Sequence, residues 1–187
     1  MAVQKSVEKW KAKKWFNIYA PEIFGDIVIG EIPATDEKAI IGRVMRVNMS
    51  WVTHKAEHSF ITIAMRITEA NGDVAKTSLA SMEQTYSFIH SLVKRGQSAI
   101  YTVDNLKDKD GKIFILKLLV MTSNKIATPK KTAIRKVLSK FLKDYAASMD
   151  TESFVKSMLD TKFQQEAVNS IANIAEISKL ELKKIVL

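Results

Sequence analysis

The chain has 187 residues, 47% apolar and 26% charged, with no cysteine and a formal net charge of +9. That length holds one substantial core, or one core with a helical appendage. The composition excludes disulfides and thiolate metal sites, and no apolar run approaches the ~20 residues that span a bilayer. No membrane role is therefore expected, and no apolar stretch behind the lysine-rich N-terminus makes a signal peptide. A basic balance of this size points to polyanionic partners, nucleic acid first and an anionic membrane second; the second is set aside because strands and helices beside the basic helix can bury Phe141 and Leu142.

Residues 1–14 carry five lysines, Lys5, Lys9, Lys11, Lys13 and Lys14, with little to bury apart from Trp10. They are expected to form a basic arm that is flexible until bound. A single domain is expected over residues 15–187. Its strand core runs over about 15–122, its helices over about 129–176 and a final strand over about 178–187.

Trp15, Phe16, Ile18 and Tyr19 begin the first strand, with Trp15 expected in the core, and Pro21 interrupts it. Residues 27–32 are rich in β-branched side chains and read as a short strand that Pro33 ends. Residues 39–49 read as a strand in which Gly42 marks a bulge or a close backbone approach. In the next strand Ile61, Ile63, Met65 and Ile67 form a uniformly apolar face, set against Phe60, Thr62, Ala64 and Arg66. Asn71-Gly72 is a two-residue hairpin signal, with residues 74–79 as the partner strand.

Ser81 and Gln84 have capping-box spacing. Tyr86, Ile89, Leu92 and Val93 share one face. Residues 81–95 therefore read as a helix that Gly96 ends, with His90 packed inside it. Residues 98–106 and 112–122 read as two long strands joined by residues 107–111. The second is almost continuously apolar, which predicts burial on both sides at the centre of the structure.

Residues 122–143 hold Lys125, Lys130, Lys131, Arg135, Lys136, Lys140 and Lys143, and no Asp or Glu. Ile134, Val137, Leu138, Phe141, Leu142 and Tyr145 recur at the spacing of one helical face. Thr128 is placed to cap this helix, and Pro129 suits its first position. Lys130 and Lys131 oppose the macrodipole, a local cost that a bound phosphate would relieve. Two further helical patterns follow, one through Phe154, Val155, Met158 and Leu159, the other through Phe163, Val168, Ile171, Ile174 and Ala175. Leu180, Leu182 and residues 185–187 read as a last strand returning to the sheet. Six or so hairpin-linked strands with helices around them predict an α+β fold, a closed or nearly closed antiparallel β-barrel flanked by α-helices.

Chemistry-bearing motifs are sparse. His54 and His58 are four apart but have no third ligand nearby, so no metal site is expected. Asp104, Asp108 and Asp110 lack the Glu that closes a calcium loop and read as a hairpin turn. The six glycines are scattered, and none forms a phosphate loop. No Ser/His/Asp arrangement has local support. Neither catalysis nor a cofactor is expected. The basic residues carry more: Trp10 among its lysines is the stacking candidate for a nucleic-acid base.

The order Lys13-Lys14-Trp15-Phe16, Ala20-Pro21, Phe24, Gly42-Arg43-Val44 and Ile67-Thr68-Glu69 to Gly72 carries a resemblance. It continues through Lys94-Arg95, Asp110-Gly111 and the helix holding Ile134-Arg135-Lys136. Together these segments resemble the small-subunit ribosomal protein family shared by archaea and eukaryotes, S-three-Ae or eS-one. The short segment after the last strand lacks the basic extension of eukaryotic members and resembles an archaeal one. The resemblance implies a β-barrel with surrounding helices on the platform of the small subunit near the messenger exit. It implies contacts with small-subunit rRNA and neighbouring ribosomal proteins, and no catalysis.

The expected function is a structural, cytoplasmic ribosome constituent. It would bind rRNA phosphates through Lys5, Lys9, Lys11, Lys13, Lys14, Lys125, Lys130, Lys131, Arg135, Lys136 and Lys140, with the messenger as a further candidate contact. The alternative is a free-standing single-strand RNA-binding or RNA-chaperone barrel, which predicts stacking aromatics on an exposed sheet face.

Overall fold

The structure, a computed structural model, describes residues 13–159 and 161–187. The chain divides between Ala80 and Ser81 into two compact units.

The first unit contains β1 (Lys14–Tyr19), β2 (Val28–Ala34), β3 (Val44–Asn48), the short α1 (Met49–Thr53), β4 (Ile61–Asn71) and the start of β5 (Val74–Gln84). β1 pairs antiparallel with β2 and parallel with β5, β3 pairs antiparallel with β4, and β4 pairs with β5. The apolar face read for β4 is buried at Ile61, Ile63, Met65 and Ile67. Phe16, Ile18, Ala34, Ile40, Ile67, Ala70 and Ala75 form a core cluster of this unit.

Several boundaries differ from expectation for local reasons. Pro33 does not end β2 but lies inside it, opposite Trp15. β2 pairs only with β1, and an edge strand tolerates a residue without an N–H. The strand expected over residues 39–49 is confined to β3. Residues 37–39 form a 3-10 turn, and Gly42 has φ +85° in the turn that follows. The Gly42 N–H donates to the Ile67 carbonyl at 2.9 Å, the close backbone approach that a glycine marks. The two-residue β4–β5 loop is Gly72-Asp73, one residue later than read. Gly72 takes φ +62° there, and its N–H donates to Glu37 Oε1 at 3.0 Å.

The second unit contains the end of β5, α2 (Tyr86–Leu92), β6 (Ala99–Lys107), β7 (Ile113–Thr122), α3 (Thr128–Ala147), α4 (Thr151–Leu159), α5 (Thr161–Ile171) and β8 (Ile177–Val186). β7 pairs antiparallel with β6 on one side and β8 on the other. The helix expected from residue 81 starts only at Tyr86, because Ser81, Met82 and Glu83 pair with Val186, Ile185 and Lys184 of β8. Ladder hydrogen bonds take the backbone that a capping box would need. His90 is exposed on α2 rather than packed, and its ring lies 3.9 Å from that of Tyr86.

One face of this sheet carries Ile100, Leu106, Phe114, Leu116, Leu118, Val120, Leu180, Leu182 and Ile185, all buried. The helices supply matching apolar side chains. Ile134, Leu138 and Leu142 of α3, Phe154 and Val155 of α4, and Phe163, Ala167 and Ile171 of α5 are all buried. Phe114 meets Phe154 at 4.9 Å between ring centroids, and Tyr145 meets Phe163 at 5.1 Å. Each such large apolar side chain contributes about 1.5–3 kcal/mol on burial.

The closed or nearly closed barrel is corrected by the topology. The strands run in the order β2-β1-β5-β8-β7-β6, with β3 and β4 attached through β5, and the ladder is not closed. Among the described residues, β2 pairs only with β1 and β6 only with β7. Two features explain this. β5 pairs with β4, β1 and β8, and divides its length between the last two, residues 74–76 meeting β1 and residues 81–83 meeting β8, instead of passing a continuous ladder around a cylinder. At β6, Arg135 of α3 donates its Nε–H to the Tyr101 carbonyl at 3.2 Å, taking an outward acceptor that a closing strand would need. The hairpins read in the sequence exist; their closure into a cylinder does not.

Candidate nucleic-acid interface

α3 is the longest helix among the described residues, at 20 residues. Its start departs from expectation: Ala127 holds the N-cap position, no side chain caps the helix, and Thr128 lies inside it beside Pro129 in the first turn. The Thr128 carbonyl accepts the Thr132 hydroxyl at 3.2 Å. The buried stripe is narrower than read. Ile134, Leu138, Leu142 and Ala146 are buried, Phe141 and Tyr145 are half-buried, and Val137 is exposed.

Because those four positions point inward, the intervening ones point out. Lys130, Arg135, Lys136, Lys140 and Lys143 are exposed on α3, Lys131 is half-buried, and Lys125 is exposed just before the helix. The ion pairs Lys179–Glu181 and Lys184–Glu83 lie elsewhere, and none is found on α3 among the described residues. The first turn of α3 contains no acidic residue, so Lys130 and Lys131 add to the positive end of the macrodipole. A shallow groove beside the helix is lined by Asp104, Arg135, Lys136, Lys140, Lys143 and Asp144. Asp104 Oδ2 is buried at its edge with no hydrogen-bond partner. The groove is thus a cationic surface with two carboxylates at its margin.

Lys13 and Lys14 are exposed at the start of β1 in the first unit, while Lys5, Lys9, Lys11 and Trp10 lie outside the described residues. Trp15, expected in the core, is 60% exposed. On β1 its neighbours Phe16 and Ile18 take the buried positions, so Trp15 falls on the open side of the pleat with Lys13, while the exposed Lys14 alternates to the other side at the strand's start.

The expected set omits three arginines. Arg43, Arg46 and Arg66 are exposed, and no carboxylate pairs with them among the described residues. Val44 pairs with Arg66 and Arg46 with Ala64, so Arg46 and Arg66 are diagonal neighbours on one face of β3–β4. The period-2 pattern that identified the buried set of β4 also placed Arg66 outward. The mixed composition of residues 39–49 hid its partner. His54 and His58 have local roles: His54 ends α1 at φ +54°, and His58 Nδ1 lies 2.9 Å from the Thr53 hydroxyl. No helix among the described residues is long and apolar enough to cross a membrane.

Fold and surface together define a basic α+β protein whose cations are presented on a helix and on strand faces. The chain belongs to the Ribosomal S3Ae family, whose model matches residues 1–187. It is similar to the small ribosomal subunit protein eS1 of Pyrobaculum aerophilum, 30% identical over 178 residues, covering 95% of this chain and 80% of the relative. The eS1 protein of Staphylothermus marinus is 30% identical over 177 residues, covering 95% and 84%. That of Methanoculleus marisnigri is 29% identical over 182 residues, covering 97% and 92%. These relatives are archaeal, in keeping with the archaeal resemblance.

Proposed function

We propose that this chain is a structural constituent of the small ribosomal subunit that grips rRNA through phosphate contacts. Family membership carries the first half: it is a ribosomal component of the small subunit, not an enzyme, and works in the cytoplasmic ribosome with rRNA and other ribosomal proteins. The residue-level half is supported by one observation. α3 presents Lys130, Lys131, Arg135, Lys136 and Lys140 from a rigid, core-anchored rod, with no carboxylate pairing any of them among the described residues. Unpaired cations fixed on a rod release counterions when phosphates replace solvent, the main source of affinity for nucleic acid.

In this reading Lys125 extends the same track. Lys13, Lys14 and Trp15 form a second contact in the first unit, Trp15 offering a face for a base. Arg46 and Arg66 form a third, and Lys5, Lys9 and Lys11 join as leader contacts. Lysines contribute charge without reading bases, so recognition is by the shape of folded RNA. Placement on the platform near the messenger exit, and a contact with the messenger, belong to the same proposal and rest on the family resemblance.

The free-standing single-strand binder is less well supported. It needs aromatic stacking on an open sheet face. Trp15 on β1 offers one such ring; on the open β6–β7 face the aromatic is Tyr101, with Lys183 Nζ 4.8 Å from its ring centroid, so neither face carries the succession of aromatics on which a single strand stacks.

The test is assembly. Lys130, Lys131, Arg135 and Lys136 replaced together by Gln should reduce retention in small subunits on sucrose gradients in high salt, with the circular dichroism unchanged. Undiminished retention would overturn the assignment of α3.

A further inference from the structure

The second unit has an uncovered sheet face that lies outside the RNA contacts proposed above. Residues opposite one another across an antiparallel pair share a face. The registers Tyr101↔Leu119↔Glu181, Val103↔Lys117↔Lys184, Asn105↔Ile115↔Val186 and Lys107↔Ile113 therefore define the face turned away from Leu116 and Leu118. At one end α2 covers it: Ile89 packs with Leu119 and Met121, and Leu92 and Ala99 join that cluster. Beyond Leu119 the cover stops. Val103 is 62% exposed, Ile113 63%, Tyr101 41% and Ile115 36%.

These four, three aliphatic and one aromatic, lie on two paired strands, with Lys117 and Asn105 interleaved among them on the same face. Large apolar side chains grouped on a sheet mark an interaction surface more often than scattered exposed apolar residues do. The polar residues among and beside them are mostly cationic. Lys117 stands opposite Val103 and Lys107 opposite Ile113. Lys183 falls at the β-bulge between the Lys117 and Leu118 pairings, which lets it reach the Tyr101 ring. Lys184 on the same face is already paired, to Glu83 at 2.7 Å.

We propose that this β6–β7 face docks a protein neighbour in the small subunit, through a segment presenting aliphatic side chains flanked by carboxylates. The proposal rests on the chain being a small-subunit constituent, but not on α3 binding rRNA. Two properties select the occupant. Val103, Ile113 and Ile115 have no π-face on which a base could stack, and burying them against a phosphate backbone would leave the phosphates desolvated. A protein segment in which acidic and apolar side chains are interspersed satisfies both the apolar side chains and Lys107, Lys117 and Lys183.

The test is site-specific crosslinking in assembled small subunits. The photocrosslinker p-benzoylphenylalanine replaces Val103 in one variant, Ile113 in a second, and Lys136 on α3 in a third. At Val103 and Ile113 the expected adduct is a protein segment bearing Asp or Glu within a few residues of aliphatic side chains. Adducts to rRNA or to a second copy of this chain would overturn the proposal, as would an acid-free segment. So would no adduct at either position in gradient-purified subunits that contain the variant. The Lys136 variant reports separately on α3, where an rRNA adduct is expected; its failure leaves the docking result standing. As a second measurement, Lys107→Glu with Lys117→Glu, both on the solvent side of the sheet, should lower the yield of the Val103 adduct at least about tenfold. An unchanged yield would remove the acidic partner from the proposal.

Discussion

Asp108 sits in the β6–β7 turn and accepts the Lys112 backbone N–H at 2.8 Å through Oδ1 and the Thr151 hydroxyl through Oδ2. Thr151 is the first residue of α4, and the Lys109 N–H donates to the Met149 carbonyl just before it, so two bonds tie the turn to the α3–α4 junction. The Thr151 hydroxyl holds the Asp108 carboxyl below its usual range; partial desolvation opposes this, and the Lys112 and Asp110 amides reinforce it. A carboxyl whose folded pKa is depressed stabilises the fold above its unfolded pKa, and that stability is lost as pH falls through the folded value. Asp108→Asn should therefore flatten the fall in Tm of the purified protein between about pH 5 and pH 3. Thr151→Ala should move the Asp108 pKa back up toward its ordinary value, as read by NMR titration of the carboxyl carbon. A pKa left unchanged would show that another group sets it.

Within α3, burial and charge are separable. Leu138 is fully buried, so Leu138→Ala should cost about 2–5 kcal/mol in urea unfolding. Lys136 is exposed, with no ion pair among the described residues, so Lys136→Gln should change stability by less than about 0.5 kcal/mol. It should instead reduce the salt slope of RNA binding by about 1. The helix start offers the complementary case. Ala127 at the N-cap leaves the first backbone N–H groups without a side-chain acceptor. Ala127→Ser should stabilise the fold by about 0.5–1 kcal/mol in the same unfolding assay, whereas Thr128→Ala, outside the cap position, should do little. The existence of α3 and its inward positions were readable because Ile134, Leu138 and Leu142 repeat every four residues. Its start was not: Thr128 before Pro129 is the stronger local capping signal, and the backbone nonetheless enters the helix one residue earlier, at Ala127. The same limit affected α2. Ser81 and Gln84 carry the local signal of a helix, and only the distant pairing of residues 81–83 with β8 overrides it. Trp15 was misplaced because an isolated large aromatic beside Phe16 does not reveal which side of the pleat the core takes.

At the scale of the molecule, the strands and hairpins were legible from period-2 patterns, but their closure was not. Closure depends on which strands meet across sequence distance: β1 on β5 in parallel, 57 residues apart at the Asn17↔Val74 pair, and β8 returning between β5 and β7. No local pattern encodes such pairings. Charge placement was more legible, because α3 lies in a stretch whose seven cations meet no acid over 22 residues. This predicts a specific response to salt. The net charge is +9, and replacing Lys130, Lys131, Arg135 and Lys136 by Gln removes four positive charges from one surface. If the charge acts only as a diffuse field, lowering it by four weakens binding at all salt concentrations and leaves the slope of log K against log salt nearly unchanged. If the four residues each neutralise a phosphate, the slope becomes shallower by roughly 3–4, at about 0.9 per contact on duplex RNA-like structure and less on single strands. Filter binding to a small-subunit rRNA fragment between about 50 and 200 mM salt separates the two. A slope unchanged within error would mean that α3 is a solvated cationic face and that the contacts to rRNA lie elsewhere on the molecule.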